Sequence, residues 1–447
     1  MAFSKKAAKN PPSAVPGDLR SAALALREGA LTARAYCETC LGRIRATEPG
    51  VKAWAWLDEA RALALADARD AERARGANPG PLHGVPVGVK DIFDTDDLPA
   101  EMGSPAFVGN RPSRNAVLVG RILDAGGYAL GKTATTEFAF MHPAATRNPW
   151  NPAHTPGGSS SGSAAAVAAG HVPAAIGTQT NGSVIRPAAF CGVVGFKPSF
   201  GALPIAGALP FSPTLDQAGV FARSVADAAL FAACLGGPGA LAAEIEASSR
   251  PARIAFLAHF PWNAAEPDAA AHLQATLRRL ADAGTNLSEI ALPDAFGKAH
   301  LVHRTIMLYE GAREHAPRQA LHRRVMSAAL NAAIDEGLAI SHDDYRAALA
   351  ERAALAGHAS DLFEKFDAVA SLPAPGAAPG RLDITGDPSF CTLWSLLGFP
   401  ALTLPAGVSE GGLPYGVQLA GNASSDDHLL RVARWCETII GFERSPV

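Results

Sequence analysis

The run Thr155-Pro-Gly-Gly-Ser-Ser-Ser-Gly-Ser163, the alanine-rich stretch 164–169 behind it, and the run Gly177-Thr-Gln-Thr-Asn-Gly-Ser-Val-Ile-Arg-Pro187 carry most of what this chain says about its architecture. Glycine and serine permit close backbone approach and dihedrals that other residues rarely adopt. Alanine is the strongest helix former, so residues 164–169 read as a helix opened by a glycine loop. Free backbone N–H groups at such a junction can bind an anion or an oxyanion. The second run repeats the device. Asn181-Gly182 makes a tight turn, Val184 starts a helix, and Pro187 falls in or near its first turn. The backbone amides of Thr180, Asn181, Gly182 and Ser183 are then placed to receive one developing negative charge. Taken alone, the first run reads as a flexible loop and Ser183 as a helix N-cap.

Upstream, Gly84-Val-Pro-Val-Gly-Val-Lys90 alternates as a strand. Val85, Val87 and Val89 share one face, and Pro86, Gly88 and Lys90 the other. The small residues beside Lys90 leave room for another backbone. A lysine at a strand end ordinarily reaches solvent; a buried one is held neutral and can serve as a base. One lysine and two glycine-framed serines, Ser159 and Ser183, therefore suggest acyl transfer without histidine.

Helical patterns cover 18–48 as two pieces broken near Gly29, then 58–75 and 117–125. Strands are expected within 81–91 and at 128–131. Alternation of strand and helix continues to about Leu235, which favours an α/β layered core. Residues 239–365 read as mostly helical. A Pro/Gly loop at 372–380 precedes strands at 401–404 and 416–419 and a last helix from Asp426. No repeat and no flexible interdomain linker is evident. The expected organisation is a floppy tail over 1–16 and one large domain over 17–447.

Of the 447 residues about half are apolar, and the net charge is −3, which gives no electrostatic bias toward nucleic acid or anionic membrane. No apolar run reaches the roughly 18 residues of a membrane span. The six scattered cysteines look like reduced thiols of a cytoplasmic protein. Cys37 and Cys40 share a helical face with Leu41 and Ile44 and read as core. The histidines never fall in HxxxH or HExxH spacing; His300 and His303 could share a helix face but lack further ligands, so no metal and no cofactor is expected. Gly126-Gly-Tyr-Ala-Leu-Gly-Lys-Thr133 satisfies the phosphate-loop pattern, yet a helix precedes it and a strand runs inside it. A P-loop nucleotide-binding protein is thereby an unfavoured reading.

Residues 83–235 resemble the amidase signature family of serine hydrolases. The resemblance rests on the Lys90 strand, the Ser159 loop and Gly182-Ser-Val-Ile-Arg-Pro-Ala-Ala-Phe-Cys-Gly-Val-Val-Gly-Phe-Lys-Pro198. Weaker blocks are Thr214-Leu-Asp-Gln-Ala-Gly219, Ser224-Val-Ala-Asp227, Asp344-Tyr-Arg-Ala-Ala and 398–407. The resemblance extends over nearly the whole chain, loosely in 240–380. It implies a single α/β domain, a mixed twisted sheet sandwiched between helical layers, with a catalytic core over about 83–235 and a variable substrate region over about 239–365. It implies Ser183 as nucleophile, Ser159 as proton relay after a cis Gly158–Ser159 peptide, and Lys90 as general base. The chain departs from the family pattern in two places: Gln179 stands where many members have aspartate, and Arg186 falls one position later than their arginine. On a helix that is a displacement of about 100°, so an aspartate–arginine contact cannot be carried over.

The acyl pocket is expected to draw on Phe138, Phe140, Met141, Ile205, Leu209, Phe211, Met307 and Trp394. With no concentrated Arg/Lys set near the motifs, the expected substrate is a neutral, somewhat hydrophobic small-molecule amide, anilide or carbamate (a urethanase activity). The enzyme is expected to act as a monomer or homodimer. The alternative is the glutamine-hydrolysing catalytic component of a tRNA-dependent amidotransferase, which would require partner subunits.

Overall fold

The computed structural model describes residues 17–76, 79–237 and 252–446. The expected tail at 1–16 lies outside them. Among the described residues, eleven strands form one mixed sheet: β1 (Trp54–Leu57), β2 (Pro86–Lys90), β3 (Tyr128–Thr133), β4 (Ala174–Gln179), β5 (Val194–Lys197), β6 (Gln217–Ala222), β7 (Arg253–Phe256), β8 (Asn286–Glu289), β9 (Ala368–Ser371), β10 (Ala401–Val408) and β11 (Pro414–Ala420). Their order is β1-β3-β2-β4-β6-β5-β10-β11-β9-β7-β8. β2 runs parallel to both β3 and β4, while β4, β6, β5, β10, β11 and β9 pair antiparallel in succession. Every residue of β2, β3 and β4 is buried, so both faces of the sheet are covered by helices.

The expected helices are present. Leu19–Glu28 and Ala33–Val51 are separate, each capped by a side chain: Asp18 accepts from the Ser21 amide and Thr32 from the Ala35 amide. Glu59–Ala74 and Val117–Asp124 follow. The stretch 252–365 is less purely helical than the composition suggests, while 239–251 lie outside the described residues. It holds helices Pro267–Asp282, Ala299–His322, Ala328–Ala339 and His342–Lys365. It also holds the four-residue strands β7 and β8, which pair in parallel with each other, β7 also with β9, at one edge of the sheet. Strands this short give little period-2 signal, and their identity comes from the neighbour they pair with.

The phosphate-loop pattern is not a phosphate loop. Gly131, Lys132 and Thr133 lie inside β3. Lys132 is buried, pairs with Asp91 at 2.9 Å and donates to the carbonyls of Phe93 and Pro99. Cys37 and Cys40 are buried in the core, where burial raises both thiol pKa values, Cys40 to about 12. No helix among the described residues is long and apolar enough to cross a membrane.

Candidate active site

Parallel pairing of β2 with β4 sets their carboxyl ends side by side, with Val89 opposite Ile176. That register brings the last residue of β2, Lys90, to Thr178 near the end of β4. The Lys90 Nζ lies 2.9 Å from Thr178 Oγ1 and 2.7 Å from Ser159 Oγ. Lys90 is fully buried, and that desolvation lowers its pKa to about 7, opposed by the charge of Asp216.

Ser159 is held by the first glycine run. The Gly158–Ser159 peptide is cis. Helix Ser161–Ala168 begins directly after it and packs tightly: a Cβ on Gly162 would stand 2.2 Å from the Ala53 carbonyl oxygen. Gly157 (φ +84) lies against Pro187, where a Cβ would meet Pro187 Cα at 2.7 Å. The two glycine-framed loops are thus pressed together, and the Ser160 amide donates to the Ser183 carbonyl at 3.4 Å.

Ser183 follows the turn 180–182 and precedes helix Ile185–Cys191. Its hydroxyl makes no hydrogen bond to Ser159 or any other described group. Gln179, at the position where many family members carry aspartate, organises this turn. Its Oε1 accepts from the amides of Val184 (2.7 Å) and Ile185 (2.9 Å), and its Nε2 donates to Ser395 Oγ (2.9 Å). The Thr180 hydroxyl donates to Asp216 at 2.5 Å, and Asp216 also accepts from the amides of Phe211 and Ser212. Burial raises the Asp216 pKa to about 6 against those three hydrogen bonds.

Arg186 does not meet Gln179. Its Nη2 donates to the Gly158 carbonyl (2.8 Å) and to Thr385 Oγ1 (3.2 Å). Its Nε and Nη1 are buried with no partner. Among the described residues it has no carboxylate within ion-pair distance.

Ser183 opens on a cavity of about 70 Å³ lined by Thr180–Ser183, Arg186, residues 139–141, Phe211, Met307, Thr385, Gly386 and Pro388. Phe140, Met141, Phe211 and Met307 of the expected acyl pocket line it, with Phe140 stacked on Phe211. Phe138, Leu209 and Trp394 do not. Phe138 packs in the core against Phe107 and His315, and Trp394 against Phe363. Ile205 and Leu209, in the same 203–212 stretch as Phe211, are not among the lining residues. Residues that the sequence does not single out for the site are Thr178, Asp216, His303, Thr385 and Ser395. In the sequence His303 stands out only as a metal ligand without companions; in the structure it contacts the Thr180 carbonyl, and His300 contacts that of Ser389.

A third buried lysine, Lys197, is lowered to about 7 by the same desolvation. It faces no serine: it donates to the carbonyls of Pro198 and Phe399 and to Gln217 Oε1 (2.6 Å). Lys197→Met is expected to orphan those acceptors, costing about 1–3 kcal/mol, seen as a lower Tm, while the pH–rate profile stays that of the wild type.

The sequence model of the Amidase family matches residues 35–430. A glutamyl-tRNA(Gln) amidotransferase subunit from Chloroflexus aggregans is 34% identical over 91% of this chain and 93% of its own length. A crystal structure of an amidase superposes with a TM-score of 0.86 at 33% identity, covering 94% of this chain and 99% of that one. The native peptide amidase of Stenotrophomonas maltophilia superposes with a TM-score of 0.81 at 30% identity, covering 96% and 98%.

Proposed function

Since the chain belongs to the amidase family, we propose that it hydrolyses a carboxamide C–N bond through an acyl-enzyme on Ser183, with Ser159 as relay and Lys90 as base. The observation that carries this reading is the 2.7 Å contact of a desolvated lysine with the Ser159 hydroxyl, beside the loop that bears Ser183. Neutral Lys90 takes the Ser159 proton as Ser159 takes that of Ser183. Ser183 Oγ bonds to the amide carbon, and the carbonyl electron pair moves onto oxygen, where backbone amides of the turn receive it. Collapse breaks the C–N bond, with Ser159 returning a proton to the leaving amine. Water then repeats the sequence and frees the acid.

For the substrate, the site favours something other than a neutral anilide or carbamate. Arg186 lines the cavity and carries two guanidinium nitrogens without a partner, which supports an anionic group on the substrate. A cavity of about 150 Å³ admits benzene; one of about 70 Å³ suits a short, narrow acyl chain. The proposed substrate is therefore a short amide bearing a carboxylate. Glutamine falls in this class. The relatives named as glutamyl-tRNA(Gln) amidotransferase subunits support the alternative, a glutamine-hydrolysing component with partners, more directly than a neutral-amide hydrolase acting alone.

The test is an ammonia-release panel of glutamine, short carboxylated amides, their neutral isosteres, an anilide and a carbamate. The isolated chain is expected to prefer the carboxylated amides, and Arg186→Met to erase roughly 10- to 100-fold of that preference, the worth of hydrogen bonds to a charged group. Preference for the neutral set would sink the substrate assignment. Glutamine turnover only in the presence of partner subunits would select the amidotransferase reading.

A further inference from the structure

We propose that His303 and Ser395 are positioning residues that aim the oxyanion amides of the nucleophile turn by gripping the carbonyls behind them. The proposal rests on Ser183 being the nucleophile. Three successive carbonyls of the turn are held by hydrogen bonds. Thr180 O lies 3.0 Å from His303 Nε2, Asn181 O accepts from the Ser395 hydroxyl, and Gly182 O accepts from the Arg186 amide at 3.0 Å. In a trans peptide the C=O and the following N–H point in opposite directions. The one cis bond among the described residues is Gly158–Ser159. Each grip therefore turns the next amide the other way, fixing the directions of the Asn181, Gly182 and Ser183 N–H groups. None of these three amides donates to another described group, and all three residues line the cavity.

The third grip is the ordinary start of helix Ile185–Cys191. The first two come from distant elements, helix Ala299–His322 and helix Thr392–Leu397. A carbonyl can only accept, so His303 Nε2 carries the proton. Burial lowers the His303 pKa to about 4, which keeps the ring a neutral donor near pH 7. Ser395 has its direction set as well. Its oxygen accepts from Gln179 Nε2, and its proton goes to Asn181 O. An aspartate at position 179 could accept the amides of Val184 and Ile185 but has no hydrogen to give Ser395. Glutamine at this position thus ties the second grip to the first turn of the nucleophile helix.

Without the grips the two peptide planes are free to rotate, and donors that must already face the oxyanion lose their preorganisation. A fluorophosphonate tests this without knowledge of the substrate, since its P=O oxygen would occupy the same hole while Ser183 Oγ, its proton passed to Ser159, bonds to phosphorus and the P–F bond breaks to release fluoride. His303→Ala is expected to slow the first-order inactivation step roughly 10- to 100-fold, short of the 10²–10³ of deleting a donor outright. The half-saturating probe concentration should stay unchanged. His303→Gln, which keeps an N–H donor, should restore most of the rate. Ser395→Ala, a small volume change, should fall in the same sense and serves if His303→Ala does not fold. Wild-type inactivation rates in both variants overturn the proposal, as does a loss that follows only the folded fraction measured by circular dichroism. A wild-type protein labelled elsewhere than Ser183 overturns the nucleophile assignment itself, a separate and recognisable outcome.

Discussion

Ser183→Ala is expected to abolish acyl-enzyme formation and to lower turnover by on the order of 10⁵–10⁶-fold, the scale seen when a serine nucleophile is removed. The structure makes this an unusually clean substitution. The Ser183 hydroxyl has no hydrogen-bond partner among the described residues, so its loss leaves no orphaned donor or acceptor. Stability should stay within about 0.5 kcal/mol of wild type. Intact-mass measurement after fluorophosphonate treatment should show one adduct on the wild type and none on the variant. Full labelling of Ser183→Ala would remove Ser183 from the mechanism. The cavity position supports the assignment, because Ser183 is at its wall while Ser159 and Lys90 lie behind it.

Lys90→Met should cost the next largest factor, roughly 10³-fold or more in kcat, toward the upper part of the usual range for general-base catalysis. The pH dependence supplies the sharper evidence. With the Lys90 pKa lowered to about 7, the neutral base predominates above pH 7 and falls tenfold per unit below it. Wild-type kcat/KM should therefore rise with unit slope up to about pH 7 and level off above. The variant should lose that limb and gain nothing at alkaline pH. Equal rates for the two proteins at high pH would refute the base assignment. The same shift has a stability consequence. Between about pH 7 and the ordinary lysine value of 10.5 the unfolded chain binds the proton and the folded one does not, so this group makes stability rise with pH across that window. Met removes that dependence. It also takes the amine from the Ser159 and Thr178 hydroxyls, at a cost of about 1–3 kcal/mol, which circular dichroism will register as a modest Tm change.

Much of the fold was legible because its signals are local. Two capped helices, the alternating Val face of β2 and the glycine-to-helix junctions each announce themselves within ten residues. β1, β7 and β8 were not, because four-residue strands derive their identity from pairing partners far away in the chain. The acyl pocket shows the same division. Phe138 and Phe140 have the spacing of one strand face, yet Phe138 and Ala139 both adopt positive φ (50° and 57°). The chain turns there, sending Phe138 to His315 in the core and Phe140 onto Phe211 at the cavity.

The departures from the family pattern were legible as letters and mute as chemistry. Gln179 is explained by Ser395 together with the amides of Val184 and Ile185, and Arg186 by the carbonyl of Gly158 and the hydroxyl of Thr385. Ser395, Gly158 and Thr385 lie far from their partners in the chain, and only folding brings them near. The separate roles of nucleophile, relay and base come from the family resemblance. The candidate lysine and the two serines can be picked out from the chain alone, since the glycines that frame the serines and the small residues that share the strand face of the lysine sit beside them. Their surroundings cannot: which aromatics face the cavity, which histidine grips the turn and which cation waits at its wall emerge only on folding. Those choices depend on packing between segments as far apart as Ser183 and Thr385, and no local pattern encodes it.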